Sequence, residues 1–184
     1  MPQTENYILS TMPSPIGEMR LVTDEAGRLR ALDWDDREER LHRLMRRQYP
    51  GTLISLRDGA LPRPIRDALE AYFAGQFDAI DAVEVETGGT DFQKLAWAAL
   101  RQIPAGKTAS YAQQAARIGR PAAIRAVGLA NGANPVGLIV PCHRVIGANG
   151  SLTGYGGGLH RKSWLLAHEG VRIGSSDPAQ PALF

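Results

Sequence analysis

Apolar and polar positions alternate through the first part of the chain, with turn residues between the runs. Tyr7 to Ser10 reads as a strand, Pro13 and Pro15 interrupt it, and Met19 to Thr23 and Arg28 to Trp34 flank a turn at Asp24-Glu25-Ala26-Gly27. The pattern predicts an antiparallel meander. The period then lengthens. From about Arg37 to Gln48, charged residues surround Leu41, Leu44 and Met45, which share one helical face, and Pro50-Gly51 stops the helix. Residues 62–77 give a second helix with Ile65, Leu69, Tyr72 and Phe73 in one stripe, and the acidic stretch to Glu86 followed by Gly88-Gly89 marks a domain boundary.

Thr90 and Gln93 have the spacing of a capping box, in which each side chain satisfies the other residue's unpaired backbone N–H. The helix they open is expected to bury Phe92, Leu95, Ala96, Ala99 and Leu100 and to end at Pro104 and Gly106. Ser110 can cap a short helix to Ile118, Gly119 suits its left-handed exit, and Pro121 fits the first turn of a further helix reaching about Asn131. The result is helix, tight turn, helix. The second of these is rich in small residues (Ala122, Ala123, Ala126, Gly128, Ala130) and carries one long cation, Arg125. From Val136 to Ile146 the chain is apolar and strand-like around Pro141, and a glycine-rich loop at Gly154 to Gly158 leads into a last helix ending at Glu169-Gly170. The expected architecture is α+β in two domains, 1–88 and 89–174, with a Ser/Pro-rich tail at 175–184 expected to be disordered.

A chain of 184 residues with 43% hydrophobic residues can bury a substantial core. No apolar run approaches the roughly 20 residues that cross a bilayer, and the polar, acidic start lacks the pattern of a signal peptide, so a cytoplasmic protein is expected. The net charge of +2 conceals an asymmetry: residues 90–184 carry 10 Lys and Arg against 3 Asp and Glu, whereas the first 89 carry 11 against 16. A basic half beside an acidic one suggests that the basic half meets a polyanion; the plainer reading is an unevenly solvated surface. The four His and one Cys have no zinc-type spacing.

That lone cysteine, Cys142, cannot form an internal disulfide and is either a small buried hydrophobe or a thiol kept for its reactivity. It follows Pro141, which cannot donate to a sheet ladder, so the chain must leave regular pairing there and can present the thiol in a cleft. A free thiol, with a pKa of about 8.5, needs a neighbouring base or cation to act as a nucleophile at neutral pH. His143 is the candidate base, although neighbours in extended chain point to opposite faces, so contact would need a turn or a bridging water. Glu169 could orient the imidazole as the third group of a triad. Gly158 to Ser163 is faintly like a phosphate-binding loop, but Arg161 stands where glycine is required before Lys162-Ser163.

Several segments, in order, are similar to one known family. They are Phe92-Gln93, Ser110-Tyr111, Arg125-Ala126-Val127-Gly128, Asn134-Pro135, Ile139 to Ile146 with Pro141-Cys142-His143-Arg144 at its centre, Gly154-Tyr155-Gly156-Gly157-Gly158 and Trp164 to Glu169. Across about Thr87 to Arg172 the chain resembles the O6-alkylguanine-DNA alkyltransferases, bacterial constitutive members above all. The Asp33-Trp34 strand end and the Leu69 to Gly75 helix extend the likeness more loosely into the first half.

The resemblance implies an N-terminal ribonuclease-H-like sheet with helices and a C-terminal helix-turn-helix, winged-helix-like domain. It implies irreversible, stoichiometric repair of DNA, in which a methyl or larger alkyl group passes from guanine O6, or thymine O4, to Cys142. His143 would take the thiol proton through a water, Glu169 would orient it, and Asn134 would brace the turn. Tyr111 would donate to the guanine or press on its phosphate, and Arg125 would fill the gap left by the extruded base. Ala126 and Gly128 would meet the minor groove, while Tyr155, Gly156 and the backbone near Val145 would line the pocket. Small residues on that helix agree independently, because a groove about 6 Å wide admits a helix only if its contacting face is slim; simple helix packing is the alternative. The partner would be duplex DNA bound by a monomer, with no cofactor and no membrane. Val136 is followed by Gly137 where some relatives have proline. Two other functions fit parts of the pattern: a sensor that binds alkylated bases without repairing them, against which Cys142 argues, and a cysteine hydrolase built on Cys142, His143 and Glu169.

Overall fold

A computed structural model describes residues 2–173, and the tail from Ser175 lies outside them. The described chain clusters into two compact units, residues 2–89 with Pro135–Ile139, and Thr90–Asn134 with residues 140–173.

The first unit is built on strands β1 (Thr4–Met12), β2 (Met19–Thr23), β3 (Leu29–Trp34) and β4 (Leu53–Asp58), with helices α1 (Glu38–Gln48) and α2 (Arg63–Phe73). The sheet order is β3-β2-β1-β4. The first three strands form the antiparallel meander expected from the alternation, with Ser10 opposite Leu21 and Leu21 opposite Leu32. Asp24 shapes its turn by accepting the backbone N–H groups of Ala26 and Arg28 at 3.0 and 2.9 Å. The fourth strand is a finding the pattern did not predict, and it pairs parallel to β1. The chain reaches that edge by way of α1, since a parallel return needs a crossover rather than a hairpin. Leu41 and Met45 of α1 pack against Tyr7, Val22 and Ala31 of the sheet, and each such buried side chain contributes roughly 1.5–3 kcal/mol. On β4 only Ile54 and Leu56 face this core, too short an alternation to mark a strand.

The second unit holds α3 (Asp91–Leu100), β5 (Ala109–Ser110), α4 (Tyr111–Arg117), α5 (Ile124–Gly132), β6 (Val145–Ile146) and α6 (Leu159–His168). Thr90–Gln93 is a complete capping box, and Ser110–Gln113 is a second one that opens α4. The buried face of α3 is rotated from the expected one. Ala96, Ala99 and Leu100 are inside, but Leu95 is 43% exposed and Trp97 is buried instead, because its indole N–H donates to the Ala130 carbonyl of α5 at 2.8 Å. Gly119 ends α4 in the left-handed region at φ 70°, as expected, whereas Pro121 sits in the turn before α5 rather than in its first turn.

The apolar run from Val136 to Ile146 is not one continuous strand; only its last two residues, β6, pair as one. Val136 makes one bridge to Leu32, Leu138 has φ 73°, and Cys142–Arg144 form a single 3-10 turn before β6. Proline at 141 lacks the N–H that a continued ladder would need. Strands β5 and β6 pair in parallel, Ala109 with Val145 and Ser110 with Ile146, which sets the start of α4 beside the cysteine turn. Among the described residues no helix is long and apolar enough to cross a membrane.

Candidate active site

The 3-10 turn settles how Cys142 and His143 are disposed. Cys142 is half-buried and lines a pocket of about 540 Å³, while its chain neighbour His143 is fully buried behind it. The pocket is walled by α5 through Ile124, Arg125, Gly128 and Asn131, by Tyr111, and by the loop from Thr153 to Gly156. All of these residues belong to the second unit.

Behind the thiol lies a buried ionic cluster. His143 Nε2 is 2.8 Å from Glu169 Oε1, and Arg144 donates through Nη2 to Oε1 at 2.9 Å and through Nε to Oε2 at 3.0 Å. Its Nη1 donates to the Ile103 carbonyl at 2.6 Å. Burial pushes the Glu169 carboxyl up, but the facing His143 and Arg144 outweigh it and hold the group well below the usual carboxylate range. For His143 burial dominates and lowers the pKa, with Glu169 pulling the other way. A neutral imidazole between Glu169 and the turn has one sensible tautomer. The proton sits on Nε2, where the anionic oxygen accepts it, and Nδ1 keeps its lone pair. Nδ1 is buried and hydrogen-bonds no protein atom, so it is the basic atom the ring can offer.

Asn134 braces the same turn from the other side, its Nδ2 donating to the Val140 carbonyl at 2.8 Å. Lys162, on α6, is completely buried, and its ammonium donates to the carbonyls of Val145 at 2.6 Å, Thr153 at 2.9 Å and Gly154 at 3.3 Å. These bonds tie both ends of the loop after the cysteine turn to one point. Burial lowers the Lys162 pKa to about 8, opposed by the nearby Cys142. A second loop bond comes from Arg161, whose Nη1 donates to the Gly157 carbonyl at 2.8 Å, and Gly158 turns the chain into α6 at φ 97°, a conformation that favours glycine. Tyr111 closes the rim: its hydroxyl donates to the Thr153 carbonyl at 3.3 Å and accepts from Thr153 Oγ1 at 3.1 Å.

The remaining expected residues fall into two groups. Tyr155, Gly156, Arg125 and Gly128 line the pocket, and Arg125 is exposed. Ala126 is exposed on α5 without lining the pocket, and the Val145 side chain is buried, its contribution being the carbonyl that receives Lys162. The structure adds four features that the sequence does not single out. Arg144 lies within the matched segment but carries no signal of its own. Lys162 sits where the phosphate-loop likeness fails, yet a lysine three and four residues before Leu165 and Leu166 falls on the buried stripe of the helix. Ile124 and Leu129 flank Arg125 at 44% and 71% exposure, apolar side chains left in water on the pocket helix. Asn131 marks a helix end in the sequence but lines the pocket in the structure. Among the described residues no cluster of His, Cys, Asp or Glu is arranged to hold a metal.

A helix-turn-helix unit with a pocketed thiol backed by a buried His-Glu-Arg cluster is the class of site that these helices and loops define. Residues 91–171 match the family model described as the DNA-binding domain of 6-O-methylguanine DNA methyltransferase, and residues 8–87 match that of its ribonuclease-like domain. The chain belongs to the 6-O-methylguanine DNA methyltransferase family. It is 50% identical over 160 residues to a methylated-DNA–protein-cysteine methyltransferase of Salmonella typhimurium, covering 87% of this chain and 94% of that one. Among solved structures it is similar to the Mycobacterium tuberculosis OGT in complex with DNA, at 45% identity and TM-score 0.71 over 88% of this chain and 92% of that one. The M. tuberculosis O6-methylguanine methyltransferase is alike at 43% identity and TM-score 0.72, over 92% and 96%.

Proposed function

We propose that this protein repairs DNA by moving an alkyl group from O6 of guanine onto the thiol of Cys142, once per molecule. The observation that carries this reading is the split across one 3-10 turn, with Cys142 on the pocket and His143 buried against Glu169 in a chain of this family. The two sequence domains, 1–88 and 89–174, would divide the labour, and the site lies wholly in the second. No cofactor is called for, since the damaged base brings the group and the thiol accepts it. We place the protein in the cytoplasm as a monomer acting on duplex DNA through the minor groove.

The atoms balance as follows. The thiol proton passes to Nδ1 of His143 through a water, and the imidazolium is held by the Glu169 carboxylate. The sulfur attacks the alkyl carbon attached to O6; a C–S bond forms, the C–O6 bond breaks, and its electron pair stays on guanine. Guanine then takes a proton from the Tyr111 hydroxyl, and the proton held on His143 passes back through water to the Tyr111 oxygen. The resulting thioether is stable, so the protein is consumed. Asn134 and Lys162 keep the turn and the loop in place, and the Lys162 charge favours the thiolate.

Intact-protein mass spectrometry after incubation with a duplex containing O6-methylguanine tests this. One methyl per chain on the Cys142 peptide is expected, with no further turnover. Repeated turnover of a soluble ester, with no adduct, would instead make the protein a cysteine hydrolase.

Arg125 gives a second test. Extruding a base costs a few kcal/mol in stacking and pairing, and a guanidinium occupying the gap can return about 1–3 kcal/mol. Arg125→Ala should therefore slow repair in duplex DNA by roughly 10- to 100-fold, while repair of the same lesion in a single strand falls much less. Equal losses on both substrates would reduce Arg125 to a phosphate contact.

A further inference from the structure

Two amides are buried between the helices of the helix-turn-helix. Gln114 of α4 has no exposed surface and Asn131 of α5 is 7% exposed. Gln114 Nε2 donates to Asn131 Oδ1 at 2.9 Å, and Asn131 Nδ2 donates back to Gln114 Oε1 at 2.7 Å. The orientation of both groups follows from a third bond. Gln114 Nε2 also donates to the Ala96 carbonyl at 3.1 Å, and a carbonyl only accepts, so the NH2 end of Gln114 is fixed and Asn131 must present its oxygen to it. Both Nε2 hydrogens of Gln114 are thus used. Asn131 has spent one N–H and one oxygen lone pair, and one of each is left over.

Asn131 is also part of the pocket wall, where it stands with Cys142, Ile124 and Gly128. Two buried amides are a costly way to join helices that leucines would join as well, and their reciprocal bonds hold both side chains in one rotamer. Here one member of the pair also lines the pocket that, on the reading given above, receives the alkylated base.

We propose that Asn131 is a specificity-determining residue, and that its spare amide groups select O6 substituents that carry a hydrogen-bonding atom over apolar substituents of the same size. Gln114 is its positioning residue. This inference rests on the pocket receiving O6-alkylguanine. The substrate class it names is guanine bearing hydroxyalkyl or carboxyalkyl groups. A pocket that bonds a substrate hydroxyl discriminates against the analogue lacking it more strongly than an apolar pocket discriminates between lengths.

The test compares O6-(2-hydroxyethyl)guanine with O6-propylguanine in the same duplex, a pair with equal numbers of heavy atoms. The second-order transfer rate is measured for each, with O6-methylguanine as reference, in the wild type, in Gln114→Leu and in Gln114→Leu/Asn131→Leu. The double variant removes both amides together, so neither is left buried without the other; the Ala96 carbonyl loses its bond from Gln114, and circular dichroism checks that the fold is retained. Intrinsic differences between the two alkyl carbons cancel when the hydroxyethyl-to-propyl ratio is compared across proteins. The double variant should lower that ratio about tenfold, and Gln114→Leu about threefold, since Asn131 then loses its anchor. A purely structural role for the pair would depress all three rates together and leave the ratio unchanged, which overturns the proposal. If the wild-type protein transfers no methyl group to Cys142, the reading of the pocket itself has failed. A wild type that transfers methyl but whose ratio matches the double variant's sinks the Asn131 assignment alone.

Discussion

Cys142→Ala is expected to abolish alkyl transfer altogether while leaving duplex binding within a few-fold of wild type. The sulfur is the only atom of the pocket wall with the nucleophilicity to displace an alkyl group from oxygen, and the chain contains no second cysteine to replace it. Binding should survive because the affinity of DNA-binding proteins comes largely from phosphate contacts and counterion release, to which a thiol contributes little. Stability should change by less than about 1 kcal/mol, as the side chain is small and only half-buried. Electrophoretic retardation of a duplex containing O6-methylguanine, followed by mass analysis of the bound protein, checks both halves. Transfer surviving in the variant would move the acceptor elsewhere and end the proposal for Cys142.

The regular elements were legible where local rules decide them. Alternation beside the Asp24-to-Gly27 turn gave β2 to the residue, and the Thr90–Gln93 spacing and the Ser110 cap gave the starts of α3 and α4. What the sequence concealed was set by long-range contact. The edge strand β4 buries only two side chains, and its partner β1 lies some fifty residues earlier, so nothing local announces it. Trp97 displaced Leu95 from the buried face because its N–H found a carbonyl on another helix. The run from Val136 to Ile146 is hydrophobic enough for a strand, but its apolar character follows mostly from burial; the backbone there makes a bridge, a tight turn and only the two-residue strand β6. Residue identities at the site were visible through the Pro141-Cys142-His143-Arg144 segment. The backbone that separates Cys142 from His143 was not, because a single 3-10 turn is specified by no spacing. Lys162 and Arg144 were hidden for a further reason: burial of a cation is atypical, and only its partners, three carbonyls for one and Glu169 for the other, make it affordable.

Glu169→Gln should slow transfer by about 10²–10⁴-fold, the range that a positioned general base contributes. The two carboxylate oxygens accept three N–H groups, His143 Nε2 and Arg144 Nη2 on Oε1 and Arg144 Nε on Oε2. An amide of the same shape has one oxygen. Whichever way it turns, its NH2 group faces a donor, and the Arg144 guanidinium is left buried without a counter-charge. Breaking a buried ion pair by removing one partner costs about 3–5 kcal/mol, so a fall in stability of that order at pH 7 accompanies the loss of rate. The pH dependence separates the relay from simple unfolding. Because the folded-state pKa of Glu169 is depressed, its contribution to stability is present above the unfolded value of about 4.3 and is lost as pH falls through the folded one; the stability gap between wild type and variant should shrink below about pH 4.3. The rate behaves oppositely. With the imidazolium no longer stabilised, His143 is a poor base, and the variant depends on direct ionisation of the thiol, so its rate should climb with pH on the alkaline side and recover part of the deficit. Single-turnover rates from pH 6 to about 9.5, with chemical denaturation at neutral and acid pH, measure both. A variant whose rate stays at a constant fraction of wild type across that range would mean that Glu169 acts only on the fold, and the histidine would lose its role as the base.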